Sequence, residues 1–248
     1  MFVLPLLRGL KRSVAVFDFV IFTIMMYALS YLPKPCLGFY PHWFRRWCKC
    51  FIDALGVELY IHEQYLGKLP NHFIVISNHP SAFEDLGMSY VFKVRFLAKR
   101  ELKEWYVFGR IATAANTLYV KRDDKHSRLT AISEISEALI NGENVGVYPE
   151  GGCFGRRIKL PFHNTVFGLA MKTKTPIIPV FLHYESQAQF EWQGQHLVRK
   201  IWEMAIARNP RVNYYIHQPI QPENYESKEA LTTHIEQLYI KWQKQHLE

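Results

Sequence analysis

The 248-residue sequence has no C-x-x-C pair, no Gly-x-Ser-x-Gly turn, no internal repeat and no low-complexity stretch. Each absence closes a class. Its four cysteines, Cys36, Cys48, Cys50 and Cys153, match neither zinc-finger spacing nor a disulfide framework, which points to a reducing, cytoplasmic setting for the main domain. Without the nucleophile elbow, a lipase or thioesterase built on an internal serine has no anchor. Acidic residues are the minority charge, 22 against 30 Lys and Arg, for a formal +8. Such an excess suits anionic partners. No RNP-like pattern or basic heptad turns it toward nucleic acid, so lipid headgroups and phosphorylated substrates remain.

What is present begins with an apolar run from Val14 to Leu32, interrupted by Asp18 and preceded by Arg8, Lys11 and Arg12. At roughly nineteen residues it suffices to span a bilayer core, and it equally suits a shallow or re-entrant helix. It exceeds a usual signal-peptide core and no small-x-small cleavage site follows, so it reads as an uncleaved anchor. Lys34, Arg45, Arg46 and Lys49 put basic charge on the far side too, which fits a helix pair dipping into one leaflet. Pro33, Pro35 and Pro41 break the run. Trp43 to Leu55 then reads as an amphipathic helix, with Trp43, Phe44, Trp47 and Phe51 against Arg45, Arg46 and Lys49, either interfacial or core-facing. Gly56 closes it, dividing the chain into membrane-associated helices (1–55) and a main domain (56–248).

Beyond Gly56, short β-branched runs alternate with helical patterns. Strands are expected at Val57–Ile61, Phe73–Ile76, Phe96–Ala98, Thr117–Val120, Val145–Tyr148, Pro176–Leu182 and Arg211–Ile216. Helices are expected from Ser81, whose spacing to Glu84 is that of a capping box, and at Leu102–Ile111, Ser127–Ile140, Val166–Met171 and Lys228–Gln245. This alternation predicts an α/β fold with a mixed, largely parallel sheet flanked by helices. Ligands in such sheets bind outside the carboxyl ends of the strands, where His79, Arg122 and Glu150 fall.

The stretch from Ser77 to Asp85 carries the chemistry. An imidazole and a carboxylate five residues apart would point about 140° apart on a continuous helix, so they meet only if the chain bends, as Pro80 encourages. Such a pair is two thirds of a catalytic triad, and with no nucleophile nearby the hydroxyl that loses its proton belongs to the substrate. Glu84 is the favoured partner and Asp85 the alternative. Lys121 and Arg122, at a strand end, suit a phosphate clamp or plain solvated charge. Pro149-Glu150-Gly151-Gly152 is an anion-facing nest or a tight turn. Cys153, beside that turn, is either reactive or space-filling.

Taken together, Asn78-His79-Pro80-Ser81-x-x-Glu84, Val120-Lys121-Arg122, Tyr148-Pro149-Glu150-Gly151 and Pro176-Ile177-Ile178-Pro179-Val180 resemble the four ordered blocks of the glycerolipid acyltransferases, most of all the 1-acylglycerol-3-phosphate branch. The likeness runs from about Gly56 to Ile220. It implies transfer of a fatty acyl group from a thioester, on coenzyme A or acyl carrier protein, to a lysophospholipid hydroxyl, on the cytoplasmic face of a membrane and with no metal or prosthetic group. It makes His79 the general base and Glu84 its orienting acid. It assigns Arg122, Glu150 and Gly151 to the acceptor's headgroup and glycerol, with Asn78, Ser81 and Lys99 as further substrate-binding positions. The chain departs from the commonest pattern in having Glu84 where aspartate is usual, Gly152-Cys153 where Thr-Arg is usual, and Phe162-His163-Asn164-Thr165 after the third block. Arg156 or Arg157 then stands in for the absent arginine, or the acceptor lacks a terminal phosphate. A non-catalytic lipid-binding member of the same fold is the alternative.

Overall fold

The alternation of short apolar strands with amphipathic helices produces seven strands in one sheet, ordered β1-β7-β6-β2-β5-β3-β4. The computed structural model describes residues 3–33, 38–81, 83–194 and 196–248, with the side chains of 3–8 left aside. The side chain of Arg8, and Lys34, Pro35, Cys36 and Ala82 of the first block, lie outside what is described. In chain order the elements are α1 (Val3–Leu29), α2 (Tyr40–Leu55), β1 (Glu58–Gln64), β2 (Ile74–Ser77), α3 (Glu84–Val91), β3 (Arg95–Lys99) and α4 (Phe108–Ala114). There follow β4 (Leu118–Val120), α5 (Lys125–Ile140), β5 (Val145–Val147), α6 (Thr165–Thr173) and β6 (Ile177–Tyr184). The chain ends with α7 (Gln187–Phe190), α8 (Leu197–Ala205), β7 (Arg211–His217) and α9 (Lys228–Leu247).

Every pairing is parallel except β6 with β7, so the sheet is mixed and largely parallel. Because β2, β3, β4, β5 and β6 run the same way, their carboxyl ends share one edge. Strand periodicity divides the core: Val75, Ile178, Val180 and Leu182 face a cluster with α2, α3 and α8, while Ile74, Ile76, Ile177 and Phe181 face α5, α6 and α9.

α1 lies antiparallel along α2. Arg12 Nε donates to Ala54 O at 3.4 Å, Trp47 Nε1 to Thr23 Oγ1 at 2.8 Å, Tyr40 Oη to Met26 O at 2.9 Å, and Arg110 of α4 reaches Ser30 Oγ at 3.1 Å. Among the described residues one helix, over Gly9–Leu29, is long and apolar enough to cross a membrane, and only 6% of its apolar window is buried. α2 itself faces the core. Its Trp47, Cys48, Ile52 and Leu55 are buried, and Arg45 donates to Tyr90 O at 2.9 Å. The outward apolar surface therefore belongs to α1, with Trp43 of α2 partly exposed.

Besides shifted ends of α1, α2 and β1, two elements differ from the sequence pattern. The helix expected over Leu102–Ile111 is split into a 3₁₀ turn, Arg100–Glu104, and α4. Gly109, inside α4, lets the two pieces cross closely, since a methyl group there would lie 2.4 Å from the carbonyl oxygens of Leu102 and Lys103. The helix expected to open at Ser81 opens at Glu84. Only half of the capping box forms: the Ser81 N–H donates to Glu84 Oε1 at 2.9 Å, while Ser81 Oγ accepts weakly from Phe83 N–H at 3.4 Å. α7 and α8 lie in a stretch where no element is expected from the sequence.

Candidate active site

At the end of β2 the chain leaves the sheet through a loop held from three sides. Asn78 clamps it to β6, donating from Nδ2 to Leu182 O at 3.0 Å and accepting from Leu182 N–H at 2.7 Å. The Glu150 carboxylate, from the turn after β5, accepts the His79 N–H and the Lys159 N–H, each at 2.8 Å. Trp192 N–H donates to Pro80 O at 2.8 Å. The bend that Pro80 suggested is thereby made, and it turns the His79 ring onto the first residue of α3.

His79 Nδ1 lies 2.9 Å from Glu84 Oε2, and both side chains are almost wholly buried. Glu84 Oε1 also takes the Ser81 N–H and the Tyr184 O–H, so the carboxylate's orientation is fixed by three donors. With Nδ1–H committed to the carboxylate, Nε2 is the nitrogen left with a lone pair. The imidazole stacks on Tyr148, ring centroids 4.1 Å apart at 8°, and Tyr148 stacks in turn on Phe96 at 5.5 Å. Burial by itself would lower the His79 pKa, but the hydrogen bond and charge of Glu84 outweigh it and hold the imidazole above its ordinary 6.5. Burial raises Glu84, against the pull of His79 and Tyr184. Burial also pushes Glu150 up to about 7, although two backbone donors oppose it.

The remaining expected positions divide into tied and open ones. Asn78, Ser81 and Glu150 are buried and spend their polar groups on the loop itself. Gly151 has φ +73° and packs on the His163 ring, 2.4 Å from where a Cβ would stand. Arg156 is bound to the buried Glu191 at 2.6 Å and to Gln187, fastening its loop to α7. Arg157 is exposed and near Glu248 at 3.6 Å. Lys99 pairs with Glu101 on the surface at 3.0 Å. Arg122 is exposed at the carboxyl end of β4, and its Nη1 comes within 3.5 Å of the space a Gly152 side chain would fill. Phe154 borders the same space, and Lys159 Nζ lies 3.7 Å from the Phe154 ring centroid. Arg122, Phe154 and Lys159 thus cluster where the usual third-block arginine is missing.

Tyr184 was not singled out from the sequence. The signal was available, since strand alternation puts Val180, Leu182 and Tyr184 on the α3 face of β6. Lys159 and the 186–206 segment carry no motif, and only folding brings them to the site.

Residues 61–183 match the family model Acyltransferase. The chain carries an acyltransferase-family domain. The chain is 30% identical over 115 residues to the 1-acyl-sn-glycerol-3-phosphate acyltransferase of Neisseria gonorrhoeae, covering 46% of this chain and 45% of that protein. It is 34% identical over 97 residues to the lyso-ornithine lipid O-acyltransferase of Brucella abortus, covering 39% and 36%. It is 31% identical over 113 residues to the human 1-acyl-sn-glycerol-3-phosphate acyltransferase alpha, covering 44% and 40%. The matched stretch thus spans less than half the length of these relatives. In fold, the chain is similar to the crystal structure of the 1-acyl-sn-glycerophosphate (LPA) acyltransferase PlsC of Thermotoga maritima, with TM-score 0.65, 20% identity, and 96% and 97% of the two chains covered.

Proposed function

We propose that this chain is a membrane-bound acyltransferase that moves a fatty acyl group from a thioester, on coenzyme A or acyl carrier protein, to the free hydroxyl of a lysophospholipid, lysophosphatidic acid first among them. The observation that carries the reading is the buried His79–Glu84 pair with Nε2 uncommitted. Nε2 takes the acceptor's hydroxyl proton as the oxygen attacks the thioester carbonyl. The tetrahedral intermediate then collapses, the C–S bond breaks, and the leaving thiolate takes the proton back from the imidazolium. Glu84, held by Ser81 and Tyr184, stabilises that imidazolium. Arg122 and Lys159 supply the cations for an anionic headgroup. The outward apolar side of α1 supports a membrane location, and three free cysteines, Cys48, Cys50 and Cys153, support the cytoplasmic face.

The test is thiol release from a fatty acyl thioester by the protein in detergent, with and without acceptor, across a panel that includes lysophosphatidic acid and lyso-ornithine lipid. Release should depend on an acceptor and fall by about 10² to 10⁴ in His79→Ala. The panel also separates a phosphate-bearing acceptor from one without phosphate, a choice raised by Gly152-Cys153. No release with any acceptor from folded protein would favour a non-catalytic lipid-binding role.

A further inference from the structure

The 186–206 segment walls the base on one side. Trp192 bonds Pro80, Phe190 stacks on Tyr184 at 4.9 Å, and Ser81 Oγ reaches Met204 Sδ at 3.9 Å. The inner face of α8 is anchored by buried groups: Met204, and the fully buried Lys200, which pairs with Glu203 at 2.8 Å and donates to the carbonyls of Ala188 and Gln189. Its outer face has no such partner among the described residues. Val198, Trp202 and Ile206, one per turn, are 75%, 65% and 58% exposed. A water-facing helix side ordinarily carries charge, whereas a tryptophan between two β-branched aliphatics is the composition of a helix lying in a lipid interface.

Position supplies the second argument. Met204 and Ile201 join the core cluster of Ile52 and Leu55 at the end of α2. That same end receives Arg12 of α1, at Ala54 O. α8 therefore sits level with the basic end of α1, whose own outward side shows Val14, Phe17, Ile21 and Ile24. Arg208, exposed, and Arg199, exposed and paired with Glu203 at 2.9 Å, flank the α8 stripe.

We propose that the outer face of α8 is a second contact with the lipid bilayer, with Trp202 at headgroup level and Arg199 and Arg208 facing anionic lipid. The base site is then presented to the membrane by α8 as well as by α1. The inference rests on the membrane-bound reading above, and its test separates the two.

Three full-length proteins are compared: wild type, Val198→Ser/Trp202→Ser/Ile206→Ser in α8, and Phe17→Ser/Ile21→Ser/Ile24→Ser in α1. Each is floated with phosphatidylcholine vesicles containing phosphatidylglycerol. Each is also assayed on a long-chain lysolipid in those vesicles and on a short-chain lysolipid below its micellar concentration. The α8 variant should lose at least about tenfold in vesicle partition. Its transfer to the vesicle-borne acceptor should fall in step, while transfer to the dissolved acceptor is unchanged. Wild-type partition by the α8 variant, with the α1 variant released from vesicles, overturns the proposal and leaves acyl transfer standing. A wild-type dimer in sedimentation that the α8 variant dissociates, with vesicle binding unaltered, assigns the face to a second copy and also overturns it. If wild type acylates neither acceptor, the proposed function fails and flotation still decides α8.

Discussion

The His79–Glu84 pair shows how little sequence distance says about orientation. Successive helical residues point about 100° apart, so Glu84 and Asp85 cannot both face one ring, and the bend at Pro80 brings Glu84 to it. Because Glu84 holds the imidazole above 6.5, the rate should fall as pH drops through a pKa above that value, since only the neutral ring accepts a proton. Glu84→Gln removes the largest opposing charge and leaves burial countered only by the lesser charges of Asp85 and Glu150. The acid limb of kcat/KM should then move to lower pH while the plateau drops by roughly 10², and a pH profile of both proteins checks this. The two arginines should behave differently. Arg156→Ala strips the partner from buried Glu191 and should cost on the order of 1–2 kcal/mol, read as a lower Tm. Arg122→Ala should leave Tm unchanged and raise KM for an anionic acceptor. The His79–Glu84 pair was legible in the sequence because the two lie five residues apart with Pro80 between them, even though Leu182, Glu150 and Trp192 hold the bend. Tyr184 is a hundred residues from Glu84, and the role of Arg156 depends on Glu191 of another loop, so neither was.

At the scale of elements, amphipathic periodicity located α5, α6 and α9 to within a few residues, because each buries one continuous stripe on the sheet. It misplaced elements where backbone contacts decide. The helix expected over Leu102–Ile111 divides where α4 crosses the 3₁₀ turn at Gly109, and the capping box stays half-made because the Ser81 hydroxyl meets Phe83 N–H instead of Glu84 N–H. α9 does more than cover a face. Tyr239 Oη lies 3.0 Å from the carbonyls of both Ile76 and Val180, while Gln243 and Glu236 accept the Ile158 and Phe162 N–H groups, each at 2.7 Å. It thereby holds the strands and the loop that deliver His79 and Lys159. Tyr239→Phe keeps the ring but removes the hydroxyl that ties α9 to those buried carbonyls. Urea unfolding should show a loss of about 1–3 kcal/mol with an unchanged m-value.

Across the whole molecule, α9 docks on the sheet through stacked histidines. His217 lies on Trp242 at 3.6 Å and His246 on Tyr215 at 3.9 Å. Burial, with repulsion from His246, pushes His217 down to about 4; burial lowers His183 and His246 as well. The unfolded chain takes up protons near 6.5 that these folded sites refuse, so their contribution to stability is present above that pH and is lost as pH falls toward 4. Glu150, raised to about 7, acts with the opposite sign, since its protonation favours the fold. Hydrogen exchange confined to α9 amides separates the two effects, and protection there should drop between pH 7 and pH 5. By itself, the sequence determined the α/β class, the strands, the nearness of His79 to Glu84, and the apolar first helix, since each follows from short separation along the chain or from periodicity along one segment. Only the tertiary structure decided that β1 and β7 run against the other strands, that α1 lies along α2, that Arg156 is tied to Glu191, and that Arg122 comes beside Gly152 and Phe154 while Lys159 covers the Phe154 ring. Those outcomes depend on which distant surfaces pack together, and no local pattern encodes the partner of a side chain a hundred residues away.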